Sequence, residues 1–161
     1  MIKSGKLWAP WRINYVQGKK ARGCIFCQAL KNKRDYVVFK TRHSLVMLNI
    51  FPYNNGHLMA SPLRHVFDTT KLNQAEVVDL FAAINKAKDL LQVVLKPQGF
   101  NIGINLGHAA GAGIAGHLHI HIVPRWVGDT NFMPITAHTK VISQSLKELH
   151  KKLTRAYARS N

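Results

Sequence analysis

The chain has 161 residues, 47% of them hydrophobic, which suits one domain with a packed core and excludes a disordered tail. Lys and Arg number 23 against 7 Asp and Glu, a formal net charge of +16, so polyanions such as nucleotides, nucleic acid or an anionic surface are the natural partners. Two cysteines are too few for a disulfide scaffold, no run approaches the ~18 apolar residues of a membrane span, and residues 1–20 lack the apolar segment of a secretory leader; the expectation is a cytoplasmic chain with no membrane partner.

Residues 1–23 read as a basic arm with Trp8, Trp11 and Tyr15, and residues 24–161 as a single domain. Pro10 between the tryptophans argues against a regular helix there, and packing of the terminus competes with base stacking as the use of the rings. Cys24 to Leu30 reads as a short helical turn, followed by a basic loop with Lys31, Lys33 and Arg34. Tyr36 to Phe39 and Ser44 to Leu48 form a hairpin turning near Thr41-Arg42-His43. Asn49 to Gly56 is a loop on composition, and His57 to Ser61 is a third strand stopped by Pro62.

Asp68-Thr69-Thr70 is expected to start a helix. From Leu72 to Leu95 the apolar residues follow the 3.6 period, with Ala75, Val77, Val78, Leu80, Phe81, Ile84, Ala87, Leu90, Leu91 and Val94 on the predicted inner face, and Pro97 and Gly99 end it. Phe100 to Asn105 is a fourth strand. Leu106 to Gly116 is a loop of small residues. A fifth strand then carries His117, His119 and His121 on one face and Leu118, Ile120 and Ile122 on the other, until Pro124. After a loop holding Gly128-Asp129-Thr130-Asn131-Phe132, Thr139 to Ala158 reads as a second helix with Val141, Ile142, Leu146, Leu149 and Leu153 apolar. Strands that do not alternate with helices predict an α+β domain with an antiparallel sheet.

Three sequence features can carry chemistry. The histidine row is a set of bases and nucleophiles at neutral pH, spaced roughly 7 Å apart by the strand rise. Its three members cannot converge on one ion, because the outer pair would be roughly 13–14 Å apart at Cα. At most one or two of them share a metal. The glycine-rich loop offers backbone N–H groups as an anion cradle beside that row. Cys24 and Cys27 form a C-x-x-C that is redox-active, an unbound reduced pair, or half of a zinc site completed from His43, His57, His65 or His117.

The run His117-Leu118-His119-Ile120-His121-Ile122-Val123 resembles the signature of the histidine-triad (HIT) family. The resemblance extends to Cys24-Ile25-Phe26-Cys27, to Gly56-His57-Leu58-Met59 and to Pro62-Leu63-Arg64-His65. Trp8-Ala9-Pro10-Trp11-Arg12 and Pro124 to Phe132 are similar to a subgroup related to diadenosine tetraphosphate phosphorylases and hydrolases. The resemblance implies a five-stranded antiparallel sheet with one long and one C-terminal helix, in a homodimer. It implies cleavage of dinucleoside polyphosphates at the α-phosphorus through a nucleotide held covalently on His119, with phosphate or water as acceptor.

On the same resemblance, the backbone at His117 orients the nucleophile and His121 donates to a phosphate oxygen or the leaving group. Ile25, Phe26 and Met47 are expected under the nucleoside, Asn49 on the ribose, and Asn105, Gly111, Ala112, Gly113 and Ile114 around phosphate. The family's Gln or Ser in that loop is replaced in the region 112–114, which leaves backbone amides as donors. Cys24, Cys27, His65 and His117 match the ligands of a structural zinc. The rival readings are a purine nucleoside phosphoramidase and a non-catalytic nucleotide- or RNA-binding module.

Overall fold

The computed structural model describes residues 23–31, 36–129, 142 and 144–160. The elements run α1 (Ile25–Lys31), β1 (Val37–Lys40), β2 (Ser44–Leu48), β3 (Leu58–Pro62), α2 (Gln74–Leu95), β4 (Gly99–Ile104), β5 (Ile120–Arg125) and α3 (Leu146–Arg159). The strands make one antiparallel sheet in the order β1-β2-β3-β5-β4. The expected α+β architecture is therefore present. Residues 1–22 of the predicted Trp-containing arm, Lys33, Arg34 and Thr130 to Phe132 lie outside the described residues.

Each sheet face buries its own apolar cluster. Strand alternation sends Val46, Leu48, Leu58, Ala60, Ile120 and Ile122 to one face, where they meet Leu80, Ile84, Leu91, Leu149 and Leu153 of α2 and α3. Leu45, Met47 and Met59 point the other way, onto Phe26 and Ala29 of α1. With both faces covered, all five residues of β2 are buried.

Three helix expectations are corrected. Asp68 caps only a 3₁₀ turn over Thr69–Lys71, and α2 starts after Asn73, whose side chain accepts from the Glu76 N–H in a reciprocal capping box. Leu72 therefore precedes α2. The predicted inner face of α2 was too wide: Val77, Val78 and Phe81 are exposed, while Ala83 and Glu76 are buried. Third, α3 starts at Leu146, not Thr139, because the Ser145 hydroxyl accepts from the Glu148 N–H and sets the first turn there. Ile142 precedes it, and Val141 lies outside the described residues.

The strand expectations need smaller changes. Pro62 does not stop β3 early; it is the last paired residue, opposite Ser44. β4 begins one residue sooner than expected, at Gly99. The triad segment joins the sheet only at Ile120, so His117, Leu118 and His119 precede β5. Beyond Ala60 the chains separate, and the Leu118 N–H donates to the Val66 carbonyl instead.

Acidic side chains clamp the loops between these elements. Arg64 Nε and Nη2 donate to both Glu76 oxygens at 2.8 and 2.7 Å, and Nη2 also donates to the Lys71 carbonyl. The guanidinium holds the Glu76 carboxyl down to about 2. This ties residues 64–71 to the start of α2. Asp129 accepts from Arg125 Nε, Arg125 Nη2, Asn54 Nδ2 and the Trp126 N–H, which joins the end of β5 to the loop before β3.

Gly56 closes that loop in the left-handed region, at φ +82°. A Cβ there would lie 2.5 Å from Leu95 Cδ1 and 3.0 Å from Pro124 Cγ. Gly56→Ala is expected to cost roughly 2–4 kcal/mol from backbone strain plus overpacking. It should appear as a lower urea midpoint at unchanged slope; a loss below about 0.5 kcal/mol would contradict this placement.

Candidate functional site

The sheet face beneath α1 carries the histidines. His121 sits on β5 opposite Met59 of β3 and Gly103 of β4. Gly103 has no side chain, and a Cβ built on it meets nothing within 4 Å, so the space beside His121 is open. Continuing the β4–β5 register by one residue sets half-buried Asn105 across from His119. The three triad histidines are all buried. They do not form the evenly spaced row expected of a strand: the His119 and His121 rings stand 4.9 Å apart, edge to face, whereas His117 turns away toward His65.

His117 faces the two cysteines. Its Nε2–H donates to the Pro62 carbonyl at 2.9 Å, which leaves Nδ1 as a lone pair. That Nδ1 lies 3.1 Å from Cys24 Sγ and 3.6 Å from Cys27 Sγ, and His65 Nδ1 lies 3.2 Å from Cys27 Sγ. The donor atoms of Cys24, Cys27, His65 and His117 all fall within 4.8 Å of one another. Two thiols and two imidazoles at such separations suit one tetrahedral ion with bonds of about 2.0–2.3 Å. The Pro62 carbonyl supplies the second-sphere acceptor that fixes a ligand histidine's tautomer. Burial lowers the His117 pKa, which favours the neutral form a metal requires. Of the four histidines that the sequence offered for this role, His65 and His117 are in reach; His57 is committed to His121.

His119 is set by the backbone. Its Nδ1–H donates to the His117 carbonyl at 2.8 Å, so Nε2 is the unprotonated nitrogen. Phe26 packs against both rings, with centroids 5.1 Å from His117 and 5.2 Å from His119. Phe26 is fully buried and Met47 nearly so. They are the floor under the histidines, and of the residues expected around the nucleoside only Ile25 and Asn49 have partly open side chains. The Asn49 Oδ1 accepts from the Phe51 N–H at 2.9 Å.

His121 is oriented by a fourth histidine, which the sequence reading assigned only as a metal candidate. The Tyr53 N–H donates to His57 Nδ1 at 3.0 Å, so the His57 proton is on Nε2. From there it donates to His121 Nδ1 at 2.9 Å, which leaves the His121 proton on Nε2. The two neighbouring imidazoles thus present opposite ends: His119 a lone pair, His121 an N–H. The pattern Gly56-His57, two residues from Met59 on the same strand face, was the sequence signal for this fourth member.

The glycine-rich loop makes one 3₁₀ turn over His108–Ala110 between Gly107 and Gly111, both at positive φ. The Gly111 N–H donates to His108 and the Ala112 N–H to Gly107, and Ala112 is buried. Of the four predicted cradle residues, Gly111 and Ala112 therefore use their amides within the loop. The N–H groups of Gly113 and Ile114 take no hydrogen bond among the described residues.

Burial, with His121 and His119 as neighbours, lowers the His57 pKa to about 3, and burial with His119 lowers that of His121 to about 4. The ordinary value is 6.5, so as pH falls from there the unfolded chain binds protons that the folded chain refuses. Stability should therefore fall from about pH 6.5 toward pH 3, and a His57→Gln/His121→Gln protein should lose less over that interval. Urea midpoints at several pH values test this; an equal pH slope in both proteins would count against it.

Known proteins resemble this chain in sequence and fold. A family model described as the HIT domain matches residues 31–127. An AP-4-A phosphorylase of Mycobacterium tuberculosis is 37% identical over 165 residues, covering 96% of this chain and 85% of that protein. A bis(5'-nucleosyl)-tetraphosphatase (asymmetrical) of Schizosaccharomyces pombe is 33% identical over 93 residues, 58% of this chain and 50% of that one. The crystal structure of a Zn-bound histidine triad family protein from Mycobacterium smegmatis superposes with a TM-score of 0.69 at 26% identity, over 85% of this chain and 94% of that chain.

Proposed function

The chain belongs to the HIT domain family, and on that premise we propose that it is an enzyme cleaving dinucleoside polyphosphates of the diadenosine tetraphosphate type. The observation that carries the reading is the His119–His117 hydrogen bond, which leaves His119 Nε2 as a free nucleophile. His119 Nε2 attacks the α-phosphorus, and the bond from that phosphorus to the bridging oxygen breaks. His121 Nε2–H donates a hydrogen bond to the departing oxygen, which leaves as an anionic phosphate oxygen, and the nucleotide remains on His119. An oxygen of inorganic phosphate then attacks the same phosphorus and frees His119. With diadenosine tetraphosphate the products are ATP, then ADP. Phosphate as acceptor is supported by the likeness to the phosphorylase, which spans nearly the whole chain.

Charge on the nonbridging oxygens is met by Asn105 and the amides of Gly113 and Ile114, with Gly111 and Ala112 shaping the loop that presents them. Ile25 and Asn49 touch the nucleoside and its ribose, over the floor of Phe26 and Met47. Cys24, Cys27, His65 and His117 would hold a structural zinc. When bound, the ion adds no acid or water of its own because all four positions are protein donors. Through these ligands α1 would be tied to the residue whose backbone carbonyl orients His119.

The protein acts as a homodimer. β4 is a sheet edge, and its Ile102 and Ile104, with Leu106 beyond, are 39–45% exposed. An apolar edge strand of this kind calls for a covering partner. No helix among the described residues is long and apolar enough to cross a membrane.

Product analysis tests the reaction. Diadenosine tetraphosphate with phosphate should give ADP and ATP, and His119→Ala should lose roughly 10³-fold or more in kcat. AMP and ATP without phosphate would make water the acceptor; undiminished turnover by His119→Ala would overturn the nucleophile. Elemental analysis should find about one zinc per chain, lost in Cys24→Ser/Cys27→Ser. Full zinc in that variant would exclude the four-ligand site.

A further inference from the structure

The substrate class proposed above has two nucleobases, and the residues expected from the sequence account for only one. We propose that Tyr53 is the stacking platform for the second base, the one on the leaving nucleotide; this rests on the dinucleoside polyphosphate reading.

Four rings follow one another across the site. Phe26 lies 5.2 Å from His119, His119 lies 4.9 Å from His121, and His121 lies 5.4 Å from Tyr53. The two end rings differ in kind. Phe26 has no exposed surface, whereas Tyr53 is 52% exposed. Tyr53 also packs on His57, at 4.5 Å between centroids, so one side of its ring rests on the two histidines and the remainder is open. Since the His121 Nε2–H donates to the leaving oxygen in that reading, the leaving nucleotide departs from the end of the row where Tyr53 stands. Gly103, opposite His121 on β4, places no side chain beside that ring.

The loop that carries Tyr53 is fixed. The Tyr53 N–H is bonded to His57, the Asn49 N–H to the His57 carbonyl, and the His57 N–H to the Asn54 carbonyl. Asn54 Nδ2 donates to the Pro124 carbonyl and to Asp129. A half-exposed aromatic ring on a pinned loop, beside a reacting group, keeps an apolar face in water without burying it in the core. Such a ring binds flat π-systems at low entropic cost, because the receptor is already ordered.

The test compares diadenosine tetraphosphate with adenosine 5'-tetraphosphate, which keeps the scissile bond and lacks the distal adenosine. The unaltered protein should have the lower KM for the dinucleotide. Tyr53→Ala should cut the ratio of the two KM values about tenfold, and Tyr53→Phe should keep it, since stacking needs the ring and not the hydroxyl. Dissociation constants for both nucleotides, measured by calorimetry in a His119→Ala background, should move in the same ratio. A ratio unmoved by Tyr53→Ala overturns the proposal, even if both rates fall and the pH profile shifts, for Tyr53 would then only cover His57 and His121. A Tyr53→Phe protein that loses the ratio as fully as Tyr53→Ala overturns it too. If the unaltered protein turns over neither nucleotide, the enzymatic reading fails, and the dissociation constants alone decide the role of Tyr53.

Discussion

The site depends on one hydrogen bond, from His119 Nδ1–H to the carbonyl of His117 two residues earlier. It is local, and it can form only because residue 117 is fixed in place. The ring of His117 is held from both sides, by the Pro62 carbonyl on Nε2 and by the thiols facing Nδ1. The side chain of one residue therefore belongs to the Cys/His cluster while its backbone orients the neighbouring His119. Phe26, wedged against both rings, transmits the position of α1 to the same place.

At the other end, the backbone again decides. The Tyr53 N–H fixes His57, and His57 fixes His121. Two imidazoles 4.9 Å apart, identical as residues, are given opposite tautomers by what each Nδ1 meets: a carbonyl oxygen at His119 and an imidazole N–H at His121. Hydrogen-bond donor and lone pair are thus separated by hydrogen-bond direction, and burial at His57 and His121 favours the neutral form of that pair.

Much of this was legible in the sequence, and what was missed has identifiable causes. Alternating His and apolar residues gave the faces around β5 because side-chain period is a local property. The same alternation implied equal spacing, which failed because the ladder partner ends and His117 leaves the strand. The Cys and His types defined a ligand set, but only tertiary folding shows that His65 reaches Cys27 while His57 does not. Periodicity overcounted the buried face of α2, since Val77, Val78 and Phe81 satisfy a helical period and still lie off the stripe centred on Leu80, Ile84 and Leu91. Tautomers were out of reach, because they depend on backbone partners that no residue type specifies.

The distribution of acidic groups completes the electrostatic picture. Of the seven carboxylates in the sequence, Glu76, Asp79 and Asp129 clamp loops. Glu76 holds Arg64 next to His65, Asp129 holds Asn54 in the loop that presents Tyr53, and Asp79 accepts from Thr41 and the His43 N–H at the first hairpin. The hydrogen bonds described at His57, His117, His119 and His121 run instead to backbone groups, thiols, an amide or another imidazole. A carboxylate beside these rings would stabilise the imidazolium, removing the lone pair from His119 and repelling a polyphosphate. Placing the few anions behind the loops fixes the geometry while leaving the incoming negative charge to the substrate, and the net charge of +16 acts over longer range to draw that charge in.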